Sequence, residues 1–130
     1  MKNIIDINSL TKYYDDFKAL NVVSFSVQKG QIFGYLGSNG ADKTTTIKIL
    51  LGLMKASSGE VTVFGEDTFS DDLNSLKLRS KIGSVLEFNR LFEYRTGLDN
   101  LIFWAGLYNI DKKDALVLSE KLINLVQMEE

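Results

Sequence analysis

Apolar and polar positions repeat with two different periods along the chain. Val23, Phe25 and Val27 alternate with Ser24 and Ser26, a period of two that predicts a strand over 22–27, and residues 3–8 are read as a strand before it. Residues 31–36 are a short apolar run of strand type, and 60–64 and 82–86 are further strands. Elsewhere the period lengthens to that of a helix. Residues 44–53 read as a helix whose apolar side includes Ile47, Leu50, Leu51 and Met54, and a helix near 71–80 begins at Ser70 or Asp71. The last third is helical. Thr96 with Asp99 resembles a capping box, opening a helix with Leu98, Leu101, Ile102, Ala105 and Tyr108 on one side. Asp111 with Asp114 opens another, with Ala115, Leu118, Leu122 and Leu125 at helical spacing. Such stripes are core faces rather than cofactor sites. The 130 residues have room for one core, and no repeat, low-complexity tract or linker divides 1–130 into more than a single domain.

Between the run at 31–36 and the helix after it lies Gly37, Ser38, Asn39, Gly40, Ala41, Asp42, Lys43, Thr44 and Thr45. This is the phosphate-binding pattern G-x-x-x-x-G-K-[ST] with Asp42 in place of the second glycine. A loop between a strand end and a helix start aims backbone N–H groups and the positive end of the helix dipole at one point, which suits a polyphosphate. Lys43 then reaches the outer phosphates and the Thr44 hydroxyl ligates Mg²⁺, while Thr45 and Thr46 stand where they also meet phosphate oxygens. Asp42 has two costs. Its Cβ stands where glycine lets the backbone approach phosphate, and its carboxylate adds a like charge. At an effective dielectric near 20, like charges about 4 Å apart cost roughly 4 kcal/mol. That weakens binding about a thousandfold, less whatever Mg²⁺, solvent or an outward rotamer recovers. A glycine-rich turn that binds nothing is the competing reading of these nine residues.

The surroundings of the loop carry a resemblance. Residues 10–14 (LTKYY), 19–37 (ALNVVSFSVQKGQIFGYLG), 57–65 (SSGEVTVFG), 82–87 (IGSVLE) and 96–101 (TGLDNL) resemble, in order and spacing, the ATP-binding domain of ABC transporters over nearly the whole chain. The resemblance implies an α/β fold of the P-loop NTPase class, a RecA-like core with an N-terminal antiparallel β-subdomain. It implies ATP and Mg²⁺ as cofactors. Tyr14 takes the place of the aromatic that stacks on adenine; the alternative is that Tyr13 and Tyr14 are ordinary strand residues, one in and one out. Glu87 takes the place of the Q-loop glutamine that touches Mg²⁺ and the attacking water, and a glutamate there resembles the subfamily that exports or confers immunity to peptide antibiotics; the alternative is a solvated carboxylate at a strand end. Residues 88–95, Phe-Asn-Arg-Leu-Phe-Glu-Tyr-Arg, fall where the family receives the coupling helix of a membrane-spanning permease subunit, and exposed aromatics with Arg suit an interface. Otherwise that loop tucks Leu91 and Phe92 under itself. In the intact family a second ATP-binding subunit completes a dimer, at the cytoplasmic face of the membrane.

Composition narrows the classes. A formal net charge of −2, with Lys and Arg unclustered, gives no basic field for nucleic acid. No stretch approaches a membrane span, and residues 1–6 lack a signal-peptide pattern. Zero cysteines exclude disulfides and thiolate metal sites, and zero histidines exclude histidine ligands and bases. The family's L-S-G-G-Q signature, Walker B aspartate, catalytic glutamate and switch histidine have no counterpart within the 130 residues. Hydrolysis by this polypeptide alone is therefore not expected, and parallel strands without neighbours are expected to leave it marginal or aggregation-prone. Three readings follow: the N-terminal part of an ATP-binding subunit, a non-enzymatic remnant that docks on a permease or partner subunit, or a nonfunctional truncated product.

Overall fold

The structure is a computed structural model and describes residues 2–38, 40–69, 72–85 and 91–128, with the side chains of 72–75 left aside. The chain divides into two compact units, Met1–Gly83 and Ser84–Glu130.

The first unit is built on a four-stranded antiparallel sheet in the order β2-β1-β3-β4, with β1 Asn3–Tyr14, β2 Phe17–Gln28, β3 Ser58–Val63 and β4 Glu66–Asp67. Alternation fixes its two faces. Asp6 lies opposite Ser26 and Thr62, and Asn8 opposite Glu60, so polar side chains share rows across three strands. Ile7, Leu10, Leu20 and Val61 bury instead, and Ile49 of helix α1 (Lys43–Leu50) closes the cluster at 0% exposure. Both long strands exceed the expected 3–8 and 22–27. They run on because Ser9, at φ 52°, and Val22, at φ 54°, absorb register shifts that interrupt the alternation without ending the ladder. Gly59 fits against that irregularity: at φ 92°, a Cβ on it would lie 2.5 Å from the Ser9 carbonyl oxygen.

Helix α1 stops sooner than its apolar pattern suggests. Gly52 takes φ 66°, its N–H donating to Ile49 O at 2.9 Å and Leu53 N–H to Lys48 O at 2.8 Å, the paired bonds of a Schellman stop. The buried apolar residue of the helix is Ile49, whereas Ile47 is exposed. Helix α2 (Asp72–Arg79) matches the expected 71–80 closely; its proposed starts, Ser70 and Asp71, lie outside the described residues.

Two expected strands are not formed. Residues 31–36 and 82–85 pair with no strand among the described residues; Leu86 lies outside them. Ile32 is fully exposed, and Leu36 and Val85 nearly so. Apolar runs of this kind become strands when neighbours on both sides take their backbone groups. No strand of the antiparallel sheet pairs with either run among the described residues.

The second unit is a helix pair, α3 (Gly97–Leu107) and α4 (Lys112–Leu125). Both expected caps are present: Thr96 Oγ1 accepts from Asp99 N–H at 3.0 Å, and Asp111 accepts from Lys113 and Asp114 N–H at 2.8 and 3.1 Å. The expected stripes are corrected. In α4 the buried positions are Ala115 and Ser119, with Ile123 half-buried, while Leu118, Leu122 and Leu125 are exposed. Small side chains at i and i+4 let the two helices approach closely, which turns the leucines aside. In α3, Leu98, Leu101, Ile102 and Ala105 are half-buried but Tyr108 is exposed.

Candidate functional site

The loop of residues 37–42 is folded around the Lys43 side chain. Lys43 Nζ donates to the carbonyl oxygens of Gly37 and Ser38, both at 2.6 Å, and Ala41 N–H donates to Ser38 O at 3.2 Å across a turn in which Gly40 has φ 86°. A Cβ on Gly37 would lie 3.0 Å from Ala41 Cβ and 3.7 Å from Lys43 Cδ, so the lysine stem uses the space that glycine leaves. Asn39 lies outside the described residues.

Asp42 stands at the start of α1 in the left-handed conformation, φ 52° and ψ 30°. The missing glycine of the pattern is therefore a conformational requirement as well as one of space and charge. Aspartate is among the few side chains that visit this region, which is how the loop keeps its turn without glycine. Asp42 O accepts the first helical bond from Thr46 N–H at 3.1 Å, but its carboxylate caps no backbone N–H. Its Oδ1 accepts instead from the Thr45 hydroxyl at 3.4 Å.

The three threonines that follow separate by burial. Thr44 is exposed; Thr45 and Thr46 are buried at 6% and 0% exposure. Thr45 Oγ1 lies 3.3 Å from the Tyr14 hydroxyl, which also donates to Met54 Sδ at 3.0 Å. Tyr14, at the end of β1, is thus brought to the start of α1, the residue 41% exposed and Lys12 Nζ 5.4 Å from its ring centroid. Tyr35 makes a parallel contact, its hydroxyl 3.3 Å from Thr46 Oγ1. Sequence reasoning missed both tyrosine hydroxyl contacts, and no spacing rule would have found them. The left-handed backbone of Asp42 was missed as well, although a glycine demanded by the pattern is a signal for φ above zero.

Glu87 and the stretch 88–90 lie outside the described residues. In the rest of that loop Phe92 is half-buried, while Leu91 and Tyr94 are 62% and 78% exposed, so the loop tucks in Phe92 but not Leu91. Among the described residues no group of three or more Asp, Glu, His or Cys side chains gathers for a metal, and no helix is long and apolar enough to cross a membrane.

A lysine thus sits on loop carbonyls at a helix start, with an aromatic from the adjoining sheet in contact with that helix. The model of the ABC transporter family matches residues 20–130. The chain belongs to the ABC transporter family. It is 40% identical over 116 residues to the bacitracin transport ATP-binding protein BcrA of Bacillus licheniformis, an alignment covering 89% of this chain and 37% of the relative. It is 34% identical to the Nod factor export ATP-binding protein I of Burkholderia pseudomallei, over 96% of this chain and 40% of that one. The chain therefore spans about two fifths of the curated relatives it matches. Among solved structures, an ATP-binding subunit of an ABC transporter aligns with TM-score 0.72 at 26% identity over 85% of this chain and 45% of that one. The ATP-binding cassette MJ0796, a dimer bound to ADP and Pi, shares the fold with TM-score 0.82 over 97% of this chain and 58% of that one, at 24% identity. The α/β P-loop NTPase class and the N-terminal antiparallel β-subdomain are those of these neighbours.

Proposed function

We propose that the chain supplies the P-loop part of the ATP-binding component of an ABC transporter, with nucleotide binding weakened by Asp42. The observation that carries this reading is the loop itself: Lys43 fixed on Gly37 and Ser38 carbonyls at the start of α1, with first-turn N–H groups that Asp42 does not cap. The residues fit a polyphosphate in shape. Gly37, Ser38, Gly40 and Ala41 provide the cradle, Lys43 the cation, and Thr44 an exposed hydroxyl for Mg²⁺. Tyr14 offers its exposed ring to adenine, and its hydroxyl bond to Thr45 sets the ring's position relative to the loop. Bound Mg²⁺ would supply charge neutralisation for the phosphates.

Hydrolysis, a permease partner, a second ATP-binding subunit and a place on the cytoplasmic face of the membrane belong to the larger assembly proposed here. The relatives' names support transport; the hint of peptide-antibiotic export rests on Glu87 and on the likeness to BcrA.

Titration calorimetry with Mg-ATP on the chain and on Asp42→Gly tests the site. Expected are millimolar or weaker binding by the chain and much tighter binding by the glycine variant. A micromolar Kd for the unaltered chain would overturn the weakened-site reading. If neither binds while both remain folded, the loop needs further elements, and the second reading applies: a non-enzymatic module that docks on a permease or partner subunit. Exposed Leu91 and Tyr94 beside Arg95 favour that reading, and co-purification with a permease separates it from a nonfunctional product.

A further inference from the structure

Asn100 is the one buried residue of α3, at 4% exposure, and it is polar. Its Oδ1 accepts from Phe92 N–H at 2.8 Å, and its Nδ2 donates to Phe92 O at 3.1 Å and Thr96 O at 3.0 Å, with Arg95 O at 3.4 Å. A side-chain amide that accepts from and donates to the same backbone residue replaces the strand neighbour which that residue lacks. Ring contacts surround the clamp. Phe92 meets Phe103 edge-on at 4.8 Å between centroids, and the Arg95 guanidinium carbon lies 5.0, 5.3 and 5.8 Å from the centroids of Phe92, Phe103 and Tyr94.

We infer that Asn100 is a positioning residue that holds the loop of residues 91–96 on α3 in a pre-ordered form, with Leu91 and Tyr94 directed outward. The reasoning runs through entropy. A loop that orders only when a partner arrives loses affinity to that ordering, whereas a loop already tied at Phe92 and Thr96 meets its partner prepared. Valine, leucine or alanine at position 100 would fill part of the same space but leave the Phe92 N–H and C=O without their partners. The inference deepens the docking half of the proposed function, the partner being a segment of the membrane-spanning subunit. It rests on that reading for the loop's use and not for its geometry.

The test therefore uses the chain without any partner, so that its failure is distinct from failure to find a permease. Hydrogen exchange is followed at the Phe92 amide, with the amides of α3 beyond Phe103 as internal reference, in the chain, in Asn100→Ala and in Phe103→Leu. Expected is acceleration at Phe92 of about tenfold or more in Asn100→Ala, with a matching rise in tryptic cleavage after Arg95, while α3 stays protected. Phe103→Leu, which leaves the amide clamp in place, should change Phe92 far less. Unchanged exchange at Phe92 in Asn100→Ala overturns the inference. So does equal acceleration in Phe103→Leu, which would assign the positioning to ring packing, and so does joint loss of protection through α3, which would make Asn100 a general support of the helix.

Discussion

Helix α4 begins at Asp111 with extended backbone, φ −66° and ψ 157°, and the carboxylate accepts from Lys113 and Asp114 N–H; helix α1 begins at Asp42 with φ 52° and ψ 30°, and its carboxylate caps nothing. The same side chain at the same position of two helices is held in opposite ways because the backbone conformations differ. The extended form turns the Asp111 carboxylate over the first turn, where N–H groups and the positive end of the dipole stabilise it. The left-handed form at Asp42 follows from the loop that precedes it, which wraps Lys43 and leaves the first-turn N–H groups uncapped by its carboxylate. A helix start that completes itself serves stability. One that leaves its donors open serves an anion, and there an acidic residue brings repulsion without the benefit of a cap.

The sharpest way to break this contrast is at Asp42. Asp42→Gly is expected to tighten Mg-ATP binding by up to about a thousandfold, the equivalent of the roughly 4 kcal/mol of like-charge cost. Asp42→Asn divides that figure into its parts. Asparagine tolerates the left-handed backbone and keeps the Cβ but carries no charge. Calorimetry that finds Asn close to Gly assigns the weakness to charge; Asn close to Asp assigns it to the Cβ and rejects the electrostatic account.

Gly59 is a second left-handed position, and it sharpens the comparison by tolerating no side chain at all. A Cβ there would meet Ser9 O at 2.5 Å and Asn8 O at 2.7 Å, both backbone atoms that cannot swing aside. Gly59→Ala should cost about 3 kcal/mol by combining positive φ with a backbone clash. Chemical denaturation checks it, and an unchanged midpoint would mean that β1 yields at its Ser9 irregularity. Asp42 keeps its fold with a side chain at positive φ; Gly59 would not.

What could be read in the sequence follows the range of the forces involved. The caps at Thr96 and Asp111 were legible because each is a contact within four residues. The P-loop was legible because its backbone demands glycines and a lysine at fixed offsets. Residues 31–36 and 82–86 read as strands from their apolar character, yet a strand exists only with neighbours, and composition does not disclose whether neighbours are there. The α4 stripe was misread in part for a related reason: Ala115 is buried as expected, but Leu118 and Leu122, which share its helical period, are exposed, and the other buried side chain is the small Ser119. Tyr14 was placed by resemblance, while its bonds to Thr45 and Met54 join residues 31 and 40 apart and needed the fold. Asn100 gave a sequence signal only as a polar interruption among Leu98, Leu101 and Ile102.

Smaller effects belong to the self-completed helix starts. Thr96→Ala removes the hydroxyl that accepts from Asp99 N–H and should cost about 1 kcal/mol, read as lost helicity and a lower Tm. Nucleotide affinity should be untouched, since the cap stands apart from the P-loop in the chain. A change in Mg-ATP binding equal to that of an Asp42 variant would remove the distinction between starts that stabilise and starts that bind.

The finest test uses acid. The N–H groups of Asp114 and then Lys113 hold the Asp111 carboxyl below the ordinary aspartate range. Because the folded form binds its proton less readily than the unfolded chain, the stabilisation is fully present above the unfolded value and is lost as pH falls through the lowered folded one. Helicity of α4 should therefore decline below about pH 4. Asp111→Asn keeps an N-cap acceptor and abolishes the titration, so the difference in far-UV circular dichroism between the two proteins should open only in that acid range. Parallel acid curves for Asp111→Asn and the unaltered chain would mean that the cap at α4 contributes nothing, and the two aspartates would then differ in conformation alone.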